Sequence, residues 1–179
     1  MTPDPVVVFI SRASLALLFA AAAHHKLRDP AGFRATLRDY RILPAAAIGP
    51  ASAGLAAFEL GLAVGLLLPA SAPFAAALAS AVLGIYTGAI GWNLARGRRH
   101  VACGCFGPAA EQPLHPGLLL RNGVLVVVAL AATLAPEPRP LGALDVFTVS
   151  LATGSLALLA VAIDGLAATS RLAARESGS

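Results

Sequence analysis

LGLAVGLLLPASAPFAAALASAVLGIYTGAIGWNLA, from Leu60 to Ala95, runs for 36 residues without a charged side chain. A hydrocarbon core takes about 20 helical residues, with roughly 17 to 25 tolerated, so this run is too long for one crossing. Pro69-Ala-Ser-Ala-Pro73 divides it, because proline removes a backbone donor and favours a turn. Two antiparallel membrane helices on a tight hairpin follow, the first reaching back to Ile48 (48–68), the second covering 74–94. The same criterion outward gives spans at 5–23, 118–134 and 146–163, the last interrupted by Gly154 and several hydroxyls. The expected fold is therefore all-α: a polytopic membrane bundle of four core helices plus a fifth. Residues 1–165 are expected to form a single transmembrane domain and 166–179 a short polar tail.

Composition agrees. The 179-residue chain is 58% hydrophobic and 12% charged, with a mean hydropathy of +0.78; an ordinary soluble domain is nearer half apolar and a quarter charged. These values exclude a soluble globule and a disordered tail. The net charge of +4 sits between apolar runs, where it flanks a membrane instead of forming a phosphate-binding stripe. The expected partner is the lipid bilayer, with no nucleic acid. Ala21-Ala22-Ala23 would suit a signal-peptide cleavage site, yet apolar Val6–Ile10 lies where a basic region should precede the span. A retained helix is expected.

The connections differ in character. Residues 24–44 hold Lys26, Arg28, Arg34, Arg38 and Arg41, with Phe33, Leu37 and Tyr40 on one helical face. That pattern fits an amphipathic helix lying in the interface with arginines reaching headgroups, or a simple basic loop. With five spans, residues 24–44, 95–117 and 165–179 share one side and carry ten of the thirteen Lys and Arg; the other side holds only Arg139. Positive charge prefers the cytoplasm, which puts the 95–117 loop inside, whereas disulfide chemistry would want it outside. Gly61-x-x-x-Gly65 and Gly84-x-x-x-Gly88 fall on the hairpin partners, and small residues four apart predict close helix packing there.

The chemistry concentrates in Cys103-Gly104-Cys105-Phe106-Gly107. Two sulfurs separated by one residue can bridge only across a bent backbone, and Gly104 permits the bend. So small a ring is strained, and strained disulfides are the oxidising, labile ones. Arg96, Arg98, Arg99 and His100 lie just upstream, where positive charge favours a thiolate. Cys103 and Cys105 are the candidate catalytic pair, with Gly104 and the basic run in support. Two further readings stand beside it: a metal set of His100, Cys103, Cys105 and His115, at a spacing that matches no standard zinc template, and a structural turn with inert cysteines.

Glu59 and Arg12 form a second constellation. A charge inside a bilayer faces a partner or a wet cavity. Each lies eleven residues from the end of its span nearest the 24–44 connection, about 16 Å at 1.5 Å per residue. They are expected to pair across antiparallel helices, either as a structural ion pair or as a polar pocket. Trp92 and Tyr86 read as interfacial or packing aromatics.

Arg12, Lys26-Leu27, Leu43-Pro44, Glu59, Cys103-Gly-Cys-Phe-Gly107 and Arg121-Asn122 together resemble the MauE family, which groups with DoxX-like redox-associated membrane proteins. The resemblance covers roughly residues 10 to 132. It implies a multi-pass protein of the bacterial cytoplasmic membrane linked to methylamine utilisation, assisting disulfide maturation of the methylamine dehydrogenase small subunit alongside a thioredoxin-like protein. In layout the chain is also similar to quinone-linked disulfide-generating enzymes of the VKOR and DsbB type, which makes a quinone the cofactor to consider. Their pair is Cys-x-x-Cys, however, and this one is Cys-x-Cys. Two functions from different classes follow. One is a membrane thiol–disulfide oxidoreductase acting through Cys103 and Cys105 on a disulfide-containing client. The other is a non-catalytic scaffold or metal-binding maturation factor using the same loop.

Overall fold

The computed structural model describes residues 3–104 and 113–176, the side chains of residues 164 and 167–176 excepted. Six helices follow in order: α1 Pro5–Arg28, α2 Pro30–Tyr40, α3 Ala45–Leu67, α4 Ala72–Ala95, α5 Pro116–Ala132 and α6 Ala143–Glu176. α1, α3, α4 and the Ala143–Ile163 part of α6 are long and apolar enough to cross a membrane, and α5 is a shorter apolar helix. The chain is a multi-pass membrane protein.

Local signals set the boundaries. Asp4 accepts from Val6 N at 2.8 Å and Pro5 occupies the first turn, so α1 starts with an orphan donor capped. Asp29 does double duty. Its backbone N–H closes α1 on His25 O, and its carboxylate caps α2 through Gly32 N at 2.9 Å. Arg41, in the left-handed region at φ 51°, ends α2. α2 falls inside the basic connecting segment and buries only Phe33 and Tyr40, so the Pro30–Tyr40 part of that segment is an amphipathic helix, while residues 24–28 continue α1. At the α3–α4 hairpin, Ser71 Oγ donates to Gly65 O at 2.9 Å.

α1 packs against α3, α5 and α6, α3 against α4, and α4 against α5. A core of Leu15, Phe19, Leu62, Leu66, Ala76 and Ala129 lies between the four inner helices. α6 lies outside them against α1, and none of its described side chains is buried. The helix also continues well beyond Ile163, where the uncharged run stops.

The glycine expectation needs correction. A side chain added at Gly61, Gly84 or Gly88 would meet nothing within 4 Å, so these three glycines face away from the neighbouring helices. Only Gly65 sits at a close approach, where a Cβ would come 3.1 Å from Ala75 Cβ. The hairpin is so short that the helices are held together by its turn and need only one small residue next to it.

The two ends of the bundle are joined differently. At the end bearing the N-terminus, Glu137 N donates to Pro3 O at 3.1 Å, and Arg139 bridges Asp145 and Asp4. At the other end, α2, the last turns of α4 and the 96–104 segment converge on the loop that carries Cys103.

Candidate functional site

The site starts from two buried charges. Lys26, 3% exposed near the end of α1, and Glu59, fully buried in α3, are joined by hydrogen bonds of 2.8 Å from Nζ to both carboxylate oxygens. Tyr86 of α4 donates its hydroxyl to Glu59 Oε1 at 2.6 Å. Charges removed from water persist only when paired and hydrogen-bonded, and here three helices contribute to one cluster. The Lys26 ammonium also stands 5.0 Å from the Phe33 ring centroid of α2, a cation–π contact.

Glu59 is therefore paired, but with Lys26 and not with Arg12. The expected Arg12–Glu59 pair assumed that α1 and α3 end level with one another. Lys26 lies two residues from the end of α1, whereas Glu59 lies fourteen residues into α3. The opening turns of α3 thus overhang α1, beside α2, and bring Glu59 level with Lys26. Arg12 serves another purpose. Its Nε donates to Ala132 O at 3.0 Å and its Nη2 to Leu134 O at 3.2 Å. α5 has 17 residues, about 25 Å at 1.5 Å per residue, short of a ~30 Å hydrocarbon core. Its terminal carbonyls would end inside the apolar region without partners, and the guanidinium supplies donors and a charge suited to a helix C-terminus.

Above the charge cluster lies a cavity of about 260 Å³. Phe33 and Tyr40 of α2, Leu55 of α3, Tyr86 and Ile90 of α4, and Cys103 are among its walls, with Lys26 at its edge. Cys103 is 6% exposed and belongs to an apolar cluster with Tyr40, Ile90, Val101, Leu114 and Leu118. Tyr40 Oη donates to Cys103 O at 3.1 Å, tying the loop to α2. Gly104 is required twice. Its φ of +69° lies in the left-handed region, and a Cβ there would fall 2.8 Å from Thr36 Cγ2. The loop is also closed at its base: Ala102 and Pro113 form an antiparallel bridge, and Leu114 N donates to Val101 O at 3.1 Å.

The remaining expected site residues are distributed as follows. Cys105, Phe106 and Gly107 lie outside the described residues. Arg96 stacks on Trp92, 4.3 Å from the ring centroid. Arg99 and His100 are exposed and Arg98 half-buried, and no described contact joins the side chains of this basic run to Cys103. Among the described residues no three His, Cys, Asp or Glu side chains converge as a metal site requires. Sequence reasoning names Lys26 and Tyr86 without giving either a place in the site: Lys26 stands among the basic residues of the connection and the residues of the family resemblance, and Tyr86 among interfacial or packing aromatics. The available signal was the intramembrane Glu59, which needs a cation, and Lys26 at the exit of the adjoining helix is a second candidate beside Arg12.

The family model for methylamine utilisation protein MauE matches residues 4–135, the stretch from the cap of α1 to just past α5. A methylamine utilization protein MauE of Paracoccus denitrificans is 39% identical over 158 residues, covering 88% of this chain and 81% of the relative. The protein of the same name from Methylorubrum extorquens is 37% identical over 159 residues, covering 88% and 85%. That of Methylophilus methylotrophus is 31% identical, covering 90% and 84%. No solved structure gives a significant match. With the match spanning the Lys26–Glu59 cluster and the cysteine loop alike, the chain belongs to the MauE family of methylamine utilisation proteins.

Proposed function

We propose that this member of the MauE family is a thiol–disulfide redox protein of the bacterial cytoplasmic membrane, acting through Cys103 and Cys105. The observation that carries the reading is the placement of Cys103: a sulfur in the wall of an apolar cavity, on a loop bent at Gly104 and fastened to α2 by Tyr40. In the oxidised pair, a client thiolate attacks one sulfur and displaces the other, giving a mixed disulfide. The second client thiol then attacks that bond, so the client leaves oxidised and both loop cysteines leave reduced. The client is a disulfide-containing protein of methylamine oxidation, as the family resemblance implies, and a thioredoxin-like protein is the expected redox partner. Cys103 is buried, 6% exposed, against the wall of the cavity.

Redox titration of the purified protein, followed by mass spectrometry of the loop peptide, tests this. A Cys103–Cys105 bridge forming and breaking as one two-electron couple is the expected result, together with loss of methylamine-dependent growth for either Cys→Ser variant. No bridge at any potential, with both serine variants fully active, would reject it. The second reading, a non-catalytic scaffold whose loop grips a maturing protein, is favoured by the burial of Cys103 within an apolar cluster. It predicts cysteines that never cycle and a loop whose apolar residues matter more than its sulfurs.

A further inference from the structure

The side-chain oxygens and the ammonium in the cavity walls are already bonded within the protein. Thr36 Oγ1 donates to Gly32 O, Tyr40 Oη to Cys103 O and Tyr86 Oη to Glu59 Oε1. Lys26 Nζ serves both oxygens of Glu59 and lies against the Phe33 ring. What remains for an occupant is hydrocarbon, supplied by Leu37, Leu55, Ile85 and Ile90 among others. A polar ligand would lose its water there and find little in exchange.

The mouth opens toward lipid. Ile42, Leu43 and Ile85 line the cavity and are themselves 38% to 68% exposed, so its apolar interior is continuous with the apolar surface of the bundle. The volume of about 260 Å³ excludes a partner helix, since one turn about 10 Å across and 5.4 Å long takes roughly 420 Å³. A thin, flexible acyl chain has no such difficulty.

Charge selects the lipid. Arg34 and Arg38, four residues apart, stand on one flank of the α2 face formed by Phe33, Leu37 and Tyr40, at about 100° per residue. Asp39, the one acid within that helix, falls on the opposite flank. Arg41 follows between Tyr40 and Ile42, both of which line the cavity. All three arginines are exposed, and a guanidinium matches a phosphate with two parallel hydrogen bonds. We infer that the cavity holds one acyl chain of an anionic phospholipid, with the lipid phosphate at the mouth against Arg38 and Arg41. The site stands apart from the cysteine chemistry, because Cys103 and Gly104 enter it only as part of the wall.

The test uses the full-length protein in phosphatidylcholine nanodiscs, titrated with phosphatidylglycerol that carries a diazirine on one acyl chain. Adducts are mapped by peptide mass spectrometry. Residues 36–43, 51–55 and 85–90 should label saturably. Half-saturation should come at a mole fraction at least about tenfold lower than with the same diazirine on phosphatidylcholine. The exposed apolar face of α6 is the internal control, where labelling should rise without saturation and ignore the headgroup. Arg38→Gln with Arg41→Gln should raise the half-saturating fraction roughly 25-fold, at about fivefold per arginine near a lipid phosphate. Leu55→Trp should abolish cavity adducts and leave those of α6. If Leu55→Trp fails to fold, the headgroup comparison and the arginine pair decide the matter alone. Equal half-saturation for the two headgroups would overturn the inference, as would an arginine pair without effect. Cavity segments that stay unlabelled while α6 reacts, the pattern a second copy seated there would give, would overturn it too.

Discussion

Glu59→Gln should unfold a large fraction of the protein, because it leaves the Lys26 ammonium buried beside a neutral amide. The two groups are 3% and 0% exposed and meet at 2.8 Å. With an effective dielectric of ~20, Coulomb's law gives about 6 kcal/mol of attraction at that distance. Most of it offsets the cost of taking both charges out of water, so the pair itself is worth little net. Removing one partner forfeits the attraction and keeps the other's desolvation, typically about 3–5 kcal/mol. At 1.4 kcal/mol per factor of ten, the folded-to-unfolded ratio falls by roughly a hundredfold to several thousandfold. Lys26→Met should cost about as much. The double variant Lys26→Met with Glu59→Met should recover most of the loss, leaving about 1 kcal/mol for the lost Tyr86–Glu59 hydrogen bond. Denaturation in detergent micelles, followed by near-ultraviolet circular dichroism, gives all four free energies of the cycle. A coupling between Lys26 and Glu59 below about 0.5 kcal/mol would refute the reasoning, since that is the scatter of independent sites. So would a larger coupling between Arg12 and Glu59.

Four further outcomes are expected. Arg12→Met should destabilise the bundle by about 1–3 kcal/mol through the unsatisfied carbonyls of α5, with Arg12→Lys intermediate; hydrogen exchange at residues 128–134 would show whether the damage is at that helix end. Gly104→Ala should cost about 1–2 kcal/mol for the left-handed backbone, plus displacement of Thr36, and should speed alkylation of Cys103, whereas Gly97→Ala, at φ +71° with open space around it, should cost the backbone part alone. Tyr40→Phe removes one hydrogen bond to the loop and should lower stability by about 0.5–1.5 kcal/mol while raising the rate of Cys103 labelling; unchanged labelling would mean the loop is held by other contacts. Gly65→Ala should lower the thermal midpoint and Gly61→Ala should not, a contrast that scanning calorimetry in nanodiscs resolves.

The bundle was legible because membrane spans announce themselves through the absence of charge, and the 36 uncharged residues from Leu60 to Ala95 leave room for no other arrangement. The amphipathic α2 was legible from Phe33, Leu37 and Tyr40 among arginines. Partners within the bundle were harder. Placing Arg12 against Glu59 ignored the axial offset of α1 and α3, and that offset goes with α2 packing against α3, a tertiary fact with no local signature. The glycine pairs misled for a related reason: a small-residue spacing identifies a face but not what lies opposite it. Cys103 stood out from its glycine neighbours, yet its burial depends on Tyr40 and Leu118, residues far away in the chain. Gly104, by contrast, could be read directly, since a tight bend between two cysteines leaves few residues able to make it.

The guanidinium of Arg12 also constrains how the protein is made. Its acceptors are the carbonyls of residues 132 and 134, the first of them 120 positions later in the chain, whereas the Lys26–Glu59 pair closes after only 33. Synthesis at ~5–20 residues per second delivers those acceptors roughly 6 to 24 s after Arg12 itself. During that interval Arg12 lacks the acceptors it has in the finished bundle, so its guanidinium is expected to reach toward water past the first turns of α1 until α5 is made. The order of translation then sets an order of contacts: the Lys26–Glu59 pair can close before Arg12 finds the end of α5.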